Sequence, residues 1–231
     1  MSTDDEDEWI KEGLELLKQG EYEESLKCFE EAIKRNPNNL KAWCDKSLAL
    51  LHLRKYEESQ KCYNPILEID PDNADAWVEK GVFFESMRSF SRALQCYRKA
   101  ITIDPNNLNA WFNHGTALIY INEFELSLSY FDKALEMDPN SFDIWINKGI
   151  SLANLKRFEE ALRCFDKAIE IKPNYDGAWV NKGVALGNSK EYKHALECFN
   201  RALELNPNNE NALRQKKVTL EKLKRIDSEG K

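Results

Sequence analysis

The chain is short of the residues that open loops and of those that build ordinary active sites. Nine glycines and seven prolines in 231 residues are too few for a loop-rich fold. The longest run without a charge, residues 105–122, opens on a proline and carries Asn106, Asn107, Asn109, Asn113 and His114. These groups would go unpaired in lipid, so the run reads as a turn and one soluble helix, and no membrane is expected as a partner. Residues 1–8 carry an acidic run instead of the basic flank and apolar stretch of a secretory signal, which points to a cytoplasmic protein. Positive charge is in deficit, with 33 Lys and Arg against 40 Asp and Glu and a net charge of −7, which argues against nucleic acid. None of the six cysteines, Cys28, Cys44, Cys62, Cys96, Cys164 and Cys198, stands in a C-x-x-C pair, the spacing of zinc and redox sites. No G-x-S-x-G, P-loop, dinucleotide or H-E-x-x-H motif occurs. The expectation is therefore no catalytic residue, no metal and no cofactor, in a protein that is not an enzyme. Hydrophobic residues still make up 42 % of the chain, enough for a continuous core.

What is present is a period. Trp9, Trp43, Trp77, Trp111, Trp145 and Trp179 follow one another at 34 residues, and Pro37, Pro71, Pro105, Pro139, Pro173 and Pro207 keep the same step. Self-similarity at this spacing marks stacked repeats. Counting from each tryptophan as position zero, position four is Gly13, Ser47, Gly81, Gly115, Gly149 and Gly183. Positions 13 and 20 are always aromatic, and position 23 is alanine except at Ile66. Five of the cysteines lie 34 or 68 residues apart, which makes them small packing residues, whereas His52, His114 and His194 fall at three different positions. Each unit reads as two helices, the first around the tryptophan and the second running to the proline, which disfavours helix in the residue before it. Small residues let the two helices approach, and the aromatics fill the space around them. Pro65 lies inside the second helix of the second unit and should kink it, with a bend between units two and three.

The pattern W-x3-G, with alanine in the second helix and a closing proline, resembles the tetratricopeptide repeat family over residues 6 to about 227. The resemblance implies an all-α, right-handed superhelical solenoid of antiparallel helix pairs, thirteen helices in all. Its repeats would be 6–39, 40–73, 74–107, 108–141, 142–175 and 176–209, followed by a capping helix over 210–227. An acidic disordered start, 1–5, and a tail, 228–231, complete the chain. It also implies a non-catalytic module that binds a protein or peptide segment in a concave groove, as adaptor or assembly scaffold. The family's carboxylate clamp for chaperone tails needs lysine at position one and asparagine at position five of its first repeat. Neither row of this chain supplies them.

At about 100° per residue, positions one, two, five, eight and nine form one stripe of the first helix, away from the packed side. Position one holds Ile10, Cys44, Val78, Phe112, Ile146 and Val180, and position five holds Leu14, Leu48, Val82, Thr116, Ile150 and Val184. Of these apolar rows, position one is expected to be the more open and position five the more readily covered by neighbours. Position two changes along the chain, from Lys11, Asp45 and Glu79 to Asn113, Asn147 and Asn181, with Gln215 in the cap. An amide offers donor and acceptor together, so such a row can pair with an extended backbone whatever its side chains. It is similar to the asparagine ladder of superhelical family members. The candidate partner-binding residues are accordingly Asn113, Asn147 and Asn181, with Val78, Phe112, Thr116, Tyr120, Ile146 and Val180 as apolar or adjoining contacts. Phe112 and Tyr120 flank Asn113 on a helix without charge and form the expected hot spot. The alternative is a self-associating scaffold, a homo-oligomer using the stripe as its interface. Residues 1–39 carry five positive and twelve negative groups and residues 210–231 seven against four, which would favour head-to-tail contact.

Overall fold

A computed structural model describes residues 4–229, with side chains described for 7–226. Residues 1–3 of the acidic start and 230–231 of the tail lie outside the described residues. The fold is all-α, and the described residues form fourteen helices. They are α1 (Asp4–Gln19), α2 (Tyr22–Arg35), α3 (Leu40–His52), α4 (Tyr56–Lys61), α5 (Tyr63–Ile69), α6 (Ala74–Ser86) and α7 (Phe90–Ile103), then α8 (Leu108–Tyr120), α9 (Phe124–Met137), α10 (Phe142–Asn154), α11 (Phe158–Ile171), α12 (Asp176–Asn188), α13 (Tyr192–Leu205) and α14 (Glu210–Glu229). Two compact units divide them, Met1–Ala110 and Trp111–Lys231, and within each unit helix pairs stack in chain order as a solenoid.

The glycine at position four sets the closeness of each pair. A Cβ added at Gly13, Gly115, Gly149 or Gly183 would stand 2.5–2.7 Å from a ring carbon of Phe29, Phe131, Phe165 or Phe199, the aromatic at position 20. Gly81 meets Tyr97 in the same way. These rings are fully buried, so no flexible tip is available to yield. The tryptophan does more than fill space: its indole N–H donates to the carbonyl of the proline six residues earlier. The distances are 2.8 Å for Trp43 to Pro37, 3.0 Å for Trp77 to Pro71, 2.8 Å for Trp145 to Pro139 and 3.2 Å for Trp179 to Pro173. Asparagines of the same turns cap the helices that follow, as Asn39 Oδ1 accepts from the Ala42 amide and Asn73 Oδ1 from that of Ala76, both at 2.9 Å.

First helices end on a residue in the left-handed region: Gly20, Arg54, Arg88, Asn122, Lys156 and Lys190, with φ from 54° to 84°. The next amide reaches back to close the turn, as Arg157 N–H does to Leu152 O at 2.9 Å. Only the first repeat uses glycine there.

The second repeat departs from the thirteen-helix expectation. Its second helix is interrupted at Cys62, giving α4 and α5, and the Cys62 amide donates to Ser59 O in a tightened turn of 3.1 Å. Pro65, lacking an N–H, cannot make the bond to residue 61 that a continuous helix needs. The interruption lies within the second helix, three residues before the proline. Ser47, which stands where the other repeats have glycine, bonds Ser59 through both hydroxyls at 2.8 Å.

Two substitutions check this packing. Gly149→Ala should lower stability by about 1–3 kcal/mol, the cost of overpacking, despite alanine's better helix propensity. Lys156→Gly, which relieves a left-handed residue, should raise stability by up to about 1 kcal/mol. Urea unfolding of the two variants beside the wild type reads both signs.

Candidate functional site

Helix orientation about its own axis decides which rows of the first helices face solvent, and here the structure reverses the expected order. Val78, Ile146 and Val180 are only 4 %, 9 % and 2 % exposed, Ile10 is buried and Cys44 and Phe112 are half-buried. Position one points between its own second helix and the first helix of the next repeat. Ile10 clusters with Ala32 and Ala42, Ile146 shares a cluster with Ala168 and Ala178, and Val180 one with Ala202 and Ala212. Val78, Ile146 and Val180 are therefore core residues and not contacts for a partner. Position five is the open apolar row: Leu48 and Val82 are each 41 % exposed, and Thr116, Ile150 and Val184 are half-buried.

In the unit Trp111–Lys231 this face is neutral and rich in amides. Asn113, Asn147 and Asn181 are all half-buried on it. Asn147 Nδ2 donates to Thr116 Oγ1 at 3.2 Å, and that hydroxyl donates to Phe112 O at 3.0 Å. Among the described residues the side chains of Asn113 and Asn181 make no hydrogen bond, so their donors and acceptors are available. Position nine, two turns further along, adds Tyr120, Asn154 and Asn188, all exposed. Asn154 Nδ2 donates to Ile150 O at 2.9 Å. Ile150, Asn154, Phe165, Asn181, Val184 and Asn188 line a shallow cavity of about 180 Å³. Asn154 and Asn188 escaped the sequence reading, although their recurrence seven residues after Asn147 and Asn181 is visible there. Phe112 packs its ring 6.4 Å from that of Phe131, which turns it partly inward, whereas Tyr120 stands open at the helix end.

In the unit Met1–Ala110 position two holds Lys11 and the acids Asp45 and Glu79, and position five is apolar. Asp45 Oδ2 is buried without a hydrogen-bond partner. Burial pushes the Asp45 carboxyl above the usual carboxylate range, with Lys41 opposing. Desolvation and the Asp75 and Asp45 charges do the same to Glu79. Neither acid has an ion-pair partner among the described residues.

Among the described residues no cluster of reactive groups is assembled. Burial pushes the thiols of Cys62, Cys96, Cys164 and Cys198 up to about 11 and that of Cys44 to about 12, so none is a thiolate at neutral pH. All six cysteines are free, five of them buried. His114 is buried with its ring stacked 4.0 Å from Tyr130, and His52 stacks 4.5 Å from Tyr22. Among the described residues no three His, Cys, Asp or Glu side chains gather to hold a metal ion, and no helix is long and apolar enough to cross a membrane.

Comparison with known proteins agrees with this geometry. A family model described as Tetratricopeptide repeat matches residues 7–39, 74–107, 142–175 and 177–209, and two further models of the same description match 28–61 and 108–141. No curated protein matches the sequence. Among solved structures, YrrB, described as a TPR protein with an unusual peptide-binding site, is 26 % identical. The match covers 82 % of this chain and 97 % of YrrB with a TM-score of 0.65. Pseudomonas aeruginosa pilF is 16 % identical over 91 % of this chain and 96 % of its own, at a TM-score of 0.74. MamA is 19 % identical over 72 % and 91 %, at 0.64. The last two share the fold alone.

Asp45 supplies a test with a defined sign. Its raised pKa means that the folded state binds a proton more readily than the unfolded chain, so its contribution to stability falls as pH rises through that raised value. Asp45→Asn, which continues the asparagine row, should stabilise the protein at pH 7 by about 1 kcal/mol. The gain should vanish near pH 4, the ordinary aspartate range. Thermal midpoints of both proteins between those two values measure it.

Proposed function

The chain belongs to the tetratricopeptide repeat family, and on that premise we propose that it binds an extended segment of a partner protein through the amide-bearing face of residues 111–231, as an adaptor or assembly scaffold. The family is generally a non-catalytic protein-interaction module. One observation carries the reading: Asn113, Asn147 and Asn181 recur at one helical position, half-buried, and two of the three have no internal hydrogen-bond partner. Each amide can donate to a peptide carbonyl and accept from a peptide N–H, which recognises backbone and tolerates varied side chains. Thr116, Ile150 and Val184 between the amides, with Tyr120 and the half-buried Phe112, supply apolar contact. YrrB, similar over most of the chain and described as having a peptide-binding site, supports the class of ligand. Six free cysteines suit a reducing compartment and support a cytoplasmic location.

Peptides selected from a displayed random library on the immobilised wild-type protein test this reading. Selected peptides should bind with micromolar affinity, and Asn147→Ala/Asn181→Ala should weaken them about tenfold, two hydrogen bonds at somewhat under 1 kcal/mol each. N-methylation of the peptide backbone should abolish binding while side-chain changes are tolerated. Binding that ignores both modifications would remove the backbone-pairing mechanism. A mass in light scattering that doubles with concentration and falls to monomer in the same variant would favour self-association by this face instead.

A further inference from the structure

A second candidate site lies in the unit Met1–Ala110. In three repeats the lysine at position three is paired with an acid sixteen residues earlier, on the preceding second helix. Lys46 meets Glu30 at 3.0 Å, Lys148 meets Asp132 at 2.6 Å and Lys182 meets Asp166 at 2.6 Å. For Lys80 that position is Asn64, next to Pro65 in the interrupted helix. Among the described residues Lys80 has no ion-pair partner, and neither have Arg92 and Lys99.

These three cations share one cleft of about 500 Å³ with Gln60, Trp77 and Phe84, and no carboxylate lines it. Aromatic rings support two of the charges: Lys80 Nζ lies 5.1 Å from the Trp77 ring centroid and the Arg92 guanidinium 5.6 Å from that of Phe84. Helix α7, which forms one wall, has three basic residues and no acid, in a chain of net charge −7. The equivalent cleft 68 residues later, about 440 Å³ around Trp145 and Lys148, is charge-balanced. There Glu160 stands where Arg92 does, Lys148 is held by Asp132, and Lys167 pairs with Glu170 at 2.6 Å. Of these two clefts, that of Lys80 is lined by three cations and no carboxylate, and that of Lys148 by three of each.

We propose that the cleft of Lys80, Arg92 and Lys99 binds a dianionic phosphate group, carried on a phosphorylated side chain of a protein partner or present as free phosphate. Three cations about one pocket exceed what a single carboxylate neutralises, and a guanidinium with an amide donor beside it matches the oxygens of a phosphate. The site is independent of the amide face and stands or falls without it.

The test titrates the full-length, isotope-labelled protein with N-acetyl-phosphoserine amide, with its unphosphorylated counterpart and with inorganic phosphate. The indole N–H resonance of Trp77, identified by loss in Trp77→Phe, is followed beside that of Trp145 in the balanced cleft. A saturable shift at Trp77 but not Trp145 is expected, weakening about tenfold from low to physiological salt. Asn64→Asp should weaken it about tenfold by giving Lys80 the partner its counterparts have, and Arg92→Gln should weaken it further. Aspartate already occupies the Asn64 position in later repeats, so the variant is expected to fold, and its thermal midpoint verifies that. Equal affinity for free phosphate and the ester assigns the site to free phosphate, and a tenfold preference for the ester assigns it to a phosphorylated side chain. No saturable shift with either probe, or an undiminished shift in folded Asn64→Asp, overturns the proposal.

Discussion

In five of the six hairpins a point of the first helix without a side chain meets an aromatic ring of the second, and the contact is too close to admit even a methyl group. Interhelix distance is fixed by that contact, and the remaining positions of the repeat adapt to it. Alanine at position 23 and just before the next tryptophan leaves room between them for one medium apolar residue at position one, as at Ile10, Ile146 and Val180. The tryptophan then joins the turn behind it through its indole hydrogen bond to proline. A residue conserving the period therefore does so for a steric or hydrogen-bonding reason that can be named.

The second repeat shows what happens when the contact is altered. Ser47 brings a side chain to the point of closest approach, and its hydroxyl is absorbed by a bond to Ser59. Its second helix breaks at Cys62, Tyr63 is buried beyond the break, and Ile66 replaces alanine where Cys44, a smaller residue than its valine and isoleucine counterparts, occupies position one. Larger at one position and smaller at its counterpart keeps the volume near constant, which cores tolerate best. The same irregular segment supplies Asn64 instead of an acid. A local change in packing and the uncompensated charge of Lys80 thus share one stretch of seven residues, Tyr63–Ile69.

The helix pairs and their small and aromatic contacts were legible in the sequence, because those contacts impose residue types on fixed positions. Tryptophan and glycine at a step of 34 residues leave no other arrangement of the apolar residues. The faces were less legible. A helical wheel gives directions about one axis and does not say which neighbour occupies each, so Ile146 and Val180 read as open although the next repeat's alanine shares their cluster, and Val78 although it is buried. The left-handed residues were hidden for another reason: Arg54, Arg88, Asn122, Lys156 and Lys190 occupy a conformation that glycine usually signals. The amides of the candidate site were readable at position two, whereas Asn154 and Asn188 became informative only once position nine proved exposed.

The chemical contrast between the two units bears on how selective each face can be. A row of amides exchanges hydration for backbone hydrogen bonds at a net gain of about 1 kcal/mol each, so on the proposed reading affinity grows with the number of rows engaged and says little about sequence. Discrimination must then come from groups whose desolvation depends on the partner. The exposed Leu48 and Val82 beside Asp45 and Glu79 are of that kind. Apolar contact there brings a partner against carboxylates already short of solvent and of counter-charge. A neutral or acidic segment would strand them further, at a cost of about 1–3 kcal/mol for each group left unpaired, while a basic segment would compensate them. On the proposed reading, amides at position two accept any backbone, whereas the acids Asp45 and Glu79, which hold that position in the other unit, would favour a basic segment.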